Sequence, residues 1–323
     1  MIGGASGAYL RYPVCPSALA MGGAYSAAPL SCMPWWNPAA MSREKQRVAS
    51  LGTGFRSLGR TDGYASLTFR VPPRMAMGLF VLYRGDPFLN DLYDENEQPL
   101  GNAAFTSFTG KIALSYYISR KLSAGINIST LYERLPSGYI NEKIDYTYAS
   151  SLAFDLAVLY RFSEQLTLTA QLRDAGAVLD WNFNSFNDFD ERHDDRLLPS
   201  ILFGSSFESK LLNRPFIWNM DMRGYLFTGE FKKIDRPELS LSNGWEWHYW
   251  EKVYLRLGIG ELQFNGDMTA APRYYWKNFT FRFTGGVGID LGNLRKGLRC
   301  NYAFSTDKIW AGVDQQLGIT YTF

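Results

Sequence analysis

From about residue 47 onward, large apolar residues occupy every second position over segments of about ten to thirteen residues, with small, polar or charged residues between them. The pattern is plainest at the C-terminus. There Leu317, Ile319, Tyr321 and Phe323 form one set, and Asp314, Gln316, Gly318, Thr320 and Thr322 the other. Segments of this kind fall near 47–57, 62–71, 74–84, 105–118, 121–133, 149–162 and 165–173. A second group falls near 198–208, 215–226, 237–247, 251–261, 279–291, 295–305 and 311–323. A half-buried strand of a soluble protein alternates in the same way, so the number and arrangement of the segments decide. About fourteen of them, an even number and each as long as a tilted membrane strand, predict an all-β fold: a transmembrane antiparallel outer-membrane β-barrel over residues 47–323.

The connections test this independently. Pro72-Pro73, Ser119-Arg120, Ser163-Glu164, Leu211 to Arg214, His248 to Trp250 and Gly292 to Leu294 are short, and each follows an even-numbered segment. Most connections after odd-numbered segments are long, notably 85–104, 134–148, 174–197 and 262–278. Short periplasmic turns alternating with long outer loops are the outer-membrane arrangement. The faces then follow from parity. Leu152, Phe154, Leu156, Val158 and Tyr160 point outward on one strand, and Phe279, Phe281, Phe283, Val287, Ile289 and Leu291 on another. Inward go charges of both signs: Arg56, Lys111, Asp155, Arg161, Arg173, Asp221, Arg223, Glu238, Glu246, Arg256, Arg282, Asp290 and Asp314. Mixed signs predict a lumen cross-linked by ion pairs, not a pore selecting one charge.

Residues 1–46 are rich in Gly, Ala and Pro and lack a sustained period of two. The run Ser17 to Tyr25 suits a short helix stopped by Gly22 and Gly23, and Asn37-Pro38 suits a helix start with Asn37 as cap. So apolar a segment ahead of a barrel predicts an N-terminal plug inside the lumen or across its periplasmic mouth. The start Met1-Ile2-Gly3-Gly4 has no basic n-region, so a barrel reading implies a chain trimmed to its mature part or a misplaced start.

Composition changes the picture in three places. The 20 Tyr, 22 Phe and 9 Trp suit strands and interfacial girdles, with Trp245, Trp247, Tyr249 and Trp250 beside one turn and Tyr274-Tyr275-Trp276 at the other rim. A net charge of +2 points to no nucleic acid or acidic partner. The 3 cysteines make no disulfide framework, although Cys15 and Cys32 share one segment and can pair in an oxidising periplasm, while Cys300 sits outward on a strand.

Ala20-Met21-Gly22-Gly23-Ala24-Tyr25 followed by Trp36-Asn37-Pro38-Ala39 resembles the N-terminal signature of the PorV/PorQ family of outer-membrane proteins. That family is similar in fold to the FadL fatty-acid transporters, which share an Asn-Pro-Ala segment. The resemblance makes Met21, Gly22, Gly23, Trp36, Asn37, Pro38 and Ala39 the family-motif residues of the plug. It implies a non-enzymatic, secretion-associated adaptor that binds exported cargo, a type IX translocon or a sortase-like partner. Its FadL side implies the alternative, transport of long-chain fatty acids or other hydrophobic small molecules. The aromatic C-terminal strand resembles the signal by which barrel-assembly machinery recognises its clients, placing Leu317, Ile319, Tyr321 and Phe323 in that role.

Little else points to catalysis. His193 beside Asp194 and Asp195, and His248 at an aromatic turn, show no metal-ligand spacing and read as a solvated and an interfacial residue. No cofactor is expected, since no Gly-rich phosphate loop follows a strand. The acidic run Asp188, Asp190, Glu191, Asp194 and Asp195 reads as a solvated charge run. Trp181, Phe183, Phe186 and Phe189 interleave with it and either bind a partner or fold inward to cap the barrel.

Overall fold

The computed structural model describes residues 8–93, 99–140, 143–183, 191–226, 239–264, 279–306 and 312–323. Its strands are β1 (Val48–Phe55), β2 (Thr61–Val71), β3 (Met75–Tyr93), β4 (Pro99–Tyr117), β5 (Leu122–Ile140), β6 (Lys143–Arg161), β7 (Leu166–Ala175) and β8 (Val178–Phe183). They continue as β9 (Glu191–Arg196), β10 (Ser200–Leu211), β11 (Arg214–Tyr225), β12 (Leu239–Trp250), β13 (Val253–Phe264), β14 (Phe279–Asp290), β15 (Leu298–Thr306) and β16 (Val313–Thr322). All but β8 and β9 form one antiparallel ring of 14 strands, closed where β1 pairs with β16 from Val48↔Thr322 to Phe55↔Gln315. Closure leaves the ring no unpaired edge, which a spanning sheet in lipid requires.

Burial is inverted relative to a soluble protein. On β6, Leu152, Phe154, Leu156, Val158 and Tyr160 are exposed, while Ser151, Ala153, Asp155, Ala157 and Leu159 between them are buried. Outward apolar faces recur around the wall, at Leu79, Val81 and Tyr83 on β3 and at Leu317 and Ile319 on β16. An apolar exterior around a buried polar interior is what a lipid-facing barrel presents, and the protein is an outer-membrane β-barrel.

The turns after β2, β4, β6, β10 and β12 are short, and β1 begins and β16 ends at this same rim. By the outer-membrane rule this rim is periplasmic. Trp247, Tyr249 and Trp250 pack there, with ring centroids 5.0 Å apart for the first pair and 4.7 Å for the second.

The structure corrects the expected strands in three ways. β3, β4, β5 and β6 each run 19 residues, so most of the expected loops 85–104 and 134–148 is paired strand. Pairing continues there after the alternation has lapsed, because strands past the lipid no longer need an apolar face. The expected loop 174–197 contains the β8–β9 hairpin, attached to β6 through Ala149↔Trp181. Arg161, expected inward, ends its strand exposed at the periplasmic rim. Tyr274-Tyr275-Trp276 and Glu238 lie outside the described residues.

Residues 12–21 and 31–42 are buried throughout. Helix α1 (Pro16–Ala20) packs against β13–β16, α2 (Met33–Trp36) against β2–β4, and the 3-10 turn Pro38–Arg43 against β2–β6.

Candidate functional site

The N-terminal segment meets the inner wall backbone to backbone. Gly22 and Gly23 have φ of +66° and +82°, which end α1 and which residues with a Cβ rarely adopt. A Cβ on Gly22 would stand 2.7 Å from the Ile259 carbonyl carbon, and one on Gly244 2.5 Å from the Met21 carbonyl oxygen. A Cβ on Gly260 would lie 2.5 Å from the Gly22 carbonyl oxygen. Inward glycines of β12 and β13 therefore make the recess in which Met21-Gly22 sits. Gly125 does the same for the second arm, where a Cβ would stand 2.5 Å from the Ala39 nitrogen. These wall glycines were missed in the sequence, although their inward parity was a usable signal.

The second arm is tied by hydrogen bonds. The Asn37 side chain accepts from the Ala39 N–H at 2.9 Å, capping the turn that Pro38 begins. Its Nδ2 donates to the Ser26 carbonyl at 2.8 Å and to Thr169 Oγ1 at 2.9 Å, joining both halves of the segment to β7. Asp221 of β11 accepts from the Tyr25 and Ser26 N–H groups at 3.1 and 3.0 Å and from Ser26 Oγ at 2.6 Å. Trp36 Nε1 donates to the Val14 carbonyl at 2.9 Å, and Asn127 Nδ2 to the Pro34 carbonyl at 2.7 Å. A Cys15–Cys32 disulfide links the two arms.

An apolar cluster forms inside this polar wall. Val14, Met21, Tyr25, Trp35 and Trp36 of the segment pack with Tyr64, Phe80 and Leu82 of β2 and β3. Around it several inward charges form ion pairs. Lys111 Nζ lies 2.6 Å from Asp155, which also accepts from Asn127 Nδ2 at 3.1 Å and the Asp174 N–H at 2.8 Å. Arg256 Nε donates to Glu246 at 2.5 Å, and Asp62 pairs with both Arg56 and Arg84. A charge taken from water needs such partners, so these groups are structural.

His248 departs from its expected interfacial place. It shares inward parity with Glu246, its Nε2 lies 2.9 Å from Glu246 Oε1, and its ring sits edge-on to Tyr254 at 4.5 Å. Of the aromatic loop residues, Trp181 is buried among Leu131, Ala153, Leu179 and Leu197, and its Nε1 donates to Asp195 at 3.0 Å. Phe183 lies on β8, but nothing is described of its side chain or of that of His193. Phe186, Phe189, Asp188 and Asp190 lie outside the described residues. At the other end of the chain, Tyr321 and Phe323 stack at 5.1 Å on the outer surface, and Arg295 Nε donates to Tyr321 Oη at 2.8 Å.

At the periplasmic rim, a cavity of about 530 Å³ separates the N-terminal segment from the wall. Its lining includes Ala27, Leu30, Met33 and Arg43 from the segment and Arg70, Tyr117, Arg120, Leu159, Arg161 and Glu208 from the wall.

No protein-family model matches the chain, and no curated protein does. Solved structures do. The Ralstonia pickettii toluene transporter TbuX matches with a TM-score of 0.61 at 15% identity, over 98% of this chain and 100% of its own. The CymD monoaromatic hydrocarbon channel matches with a TM-score of 0.67 at 11% identity, over 97% and 98%. A FadL homologue of Pseudomonas aeruginosa matches with a TM-score of 0.59 at 12% identity, over 95% and 97%. The PorV/PorQ resemblance and the secretion-adaptor role drawn from it gain no support from these matches. These neighbours are a transporter, a channel and a FadL homologue, and what this chain shares with them end to end is the fold, an outer-membrane β-barrel.

Proposed function

We propose that this protein carries hydrophobic small molecules across the outer membrane, with residues 1–46 as the plug of the 47–323 barrel. The end-to-end similarity in fold to TbuX and CymD carries the reading, since one is a toluene transporter and the other a monoaromatic hydrocarbon channel. The packing inside the barrel agrees with it. The segment brings Tyr25, Trp35 and Trp36 into a lumen that also holds ion pairs such as Lys111–Asp155, giving the interior an apolar surface that an open aqueous pore would lack. Met21, Gly22, Gly23, Trp36, Asn37, Pro38 and Ala39 serve as the plug's anchors, and Trp181 as part of a cap at the outer rim. Leu317, Ile319, Tyr321 and Phe323 serve as the insertion signal read by the barrel-assembly machinery.

The test is uptake of radiolabelled toluene by cells expressing the protein, set beside conductance in planar bilayers. Faster uptake than in vector-only cells, with little ohmic conductance, is the expected result. Uptake equal to the control would refute transport of this class, and a large steady conductance would refute the plug.

A further inference from the structure

The cations at the periplasmic cavity differ from those in the lumen. Arg43, Lys45, Arg70, Arg120 and Arg161 line it against two carboxylates, Glu44 and Glu208. Glu44 is already engaged, its Oε1 accepting from the Lys45 and Gln46 N–H groups at 2.8 and 3.0 Å. Among the described residues, none of the five cations has a carboxylate within ion-pair distance.

Arg43 is the most confined of them. Its Nε donates to Ser123 Oγ at 3.0 Å and its Nη1 to the Arg120 carbonyl at 3.3 Å. Its Nη2 is buried and has no hydrogen-bond partner among the described residues. Burial lowers its pKa from the ordinary arginine value, opposed by Tyr117 and helped slightly by the charge of Arg161. Two neighbouring guanidiniums lining one cavity offer the charge and forked donors that a carboxylate or phosphate accepts. Beside them, Leu30, Met33, Leu159 and Tyr117 give the cavity an apolar floor. A volume of about 530 Å³ lies within the range of small-ligand sites.

We propose that this periplasmic vestibule binds an amphiphilic anion, its acidic head held by Arg43 and Arg161 and its apolar part lying on Leu30, Met33 and Leu159. The inference rests on the transport reading for the ligand's arrival, since the cavity lies where a solute passing the plug would emerge. The same chemistry is carried by a transported acid and by an anionic lipid of the periplasmic leaflet, and the test separates these two sources.

Equilibrium binding of radiolabelled decanoate to the full-length barrel in non-ionic detergent is the experiment, with decanol as the neutral counterpart. Saturable decanoate binding, weakened about tenfold by Arg161→Gln and also by added salt, is expected. Decanol should bind more weakly and be unaffected by the substitution. Arg161 is exposed, so this variant should fold even if Arg43→Gln does not. Equal binding of decanoate and decanol, or decanoate binding unchanged in Arg161→Gln, would overturn the proposal. Displacement of decanoate by phosphatidylglycerol would support the site and identify a lipid as its source. Resistance to displacement would support it with a transported acid as the source. Wild-type toluene uptake, run in parallel, keeps the two readings apart: uptake without decanoate binding defeats only the vestibule site, and binding without uptake defeats only transport.

Discussion

The lumen and the periplasmic vestibule lie within the same wall and both are rich in cations, but they treat them oppositely. In the lumen, Lys111 meets Asp155, Arg256 meets Glu246, and Arg56 and Arg84 share Asp62. In the vestibule, Arg43 and Arg161 face a cavity with no carboxylate paired to either among the described residues. The difference follows from solvent. A buried ion without a partner costs several kcal/mol, whereas an exposed cation such as Arg161 at the periplasmic mouth keeps its hydration. Paired charges therefore hold the molecule together, and unpaired ones are available to something else.

The sharpest way to break the comparison is to remove one lumen cation. Lys111→Met leaves Asp155 with two weaker hydrogen-bond partners and only the more distant charge of Arg173, and should cost about 3–5 kcal/mol. Urea unfolding in lipid vesicles would measure it; a change below about 1 kcal/mol would mean the pair is architecturally idle. Next in size is the Cys15–Cys32 disulfide, which closes a loop with a sequence separation of 17. Changing both cysteines to Ser should lower stability by about 2–4 kcal/mol and loosen the N-terminal segment. Both sulfurs are buried in the folded barrel, so reductant should leave the wild type oxidised until it is unfolded. Thiol alkylation with and without denaturant reads this directly.

A smaller effect is expected where the segment meets the wall glycines. Gly260→Val places side-chain carbons against the Gly22 backbone and should cost about 1–3 kcal/mol by overpacking. Because the clash lies between segment and wall, it should also unseat Met21-Gly22 and raise single-channel conductance. Destabilisation with unchanged conductance would place the strain in the wall alone.

Most of the barrel was legible because a membrane strand announces itself twice, in its period of two and in the sorting of its turns. Each of the 14 expected segments overlaps one strand of the ring. What escaped had weaker local signals. β3 to β6 extend beyond the alternation, and β8 and β9 pair only with β6 and with each other, so neither is marked by a lipid-facing stripe. His248 has aromatic neighbours in the sequence that suit an interface, but its parity with Glu246 turns it inward. The segment's glycines were visible as a motif, but their counterparts Gly244, Gly258 and Gly260 lie more than two hundred residues away, and only the closed ring brings the two together.

The smallest predicted effect is the most discriminating. Arg161→Met makes the same change of a long cation to a neutral side chain as Lys111→Met, but at the vestibule. Arg161 is exposed, and its Nη2 donates to the Glu164 carbonyl at 3.3 Å, a contact across a solvated turn. Its loss should therefore change unfolding free energy by no more than about 0.5 kcal/mol. The two substitutions differ chiefly in whether a buried carboxylate is left behind, so their stability difference measures the pairing itself. If Arg161→Met proved as costly as Lys111→Met, the vestibule arginine would be part of the framework and unavailable to a ligand. A near-neutral result would leave it free for the anion.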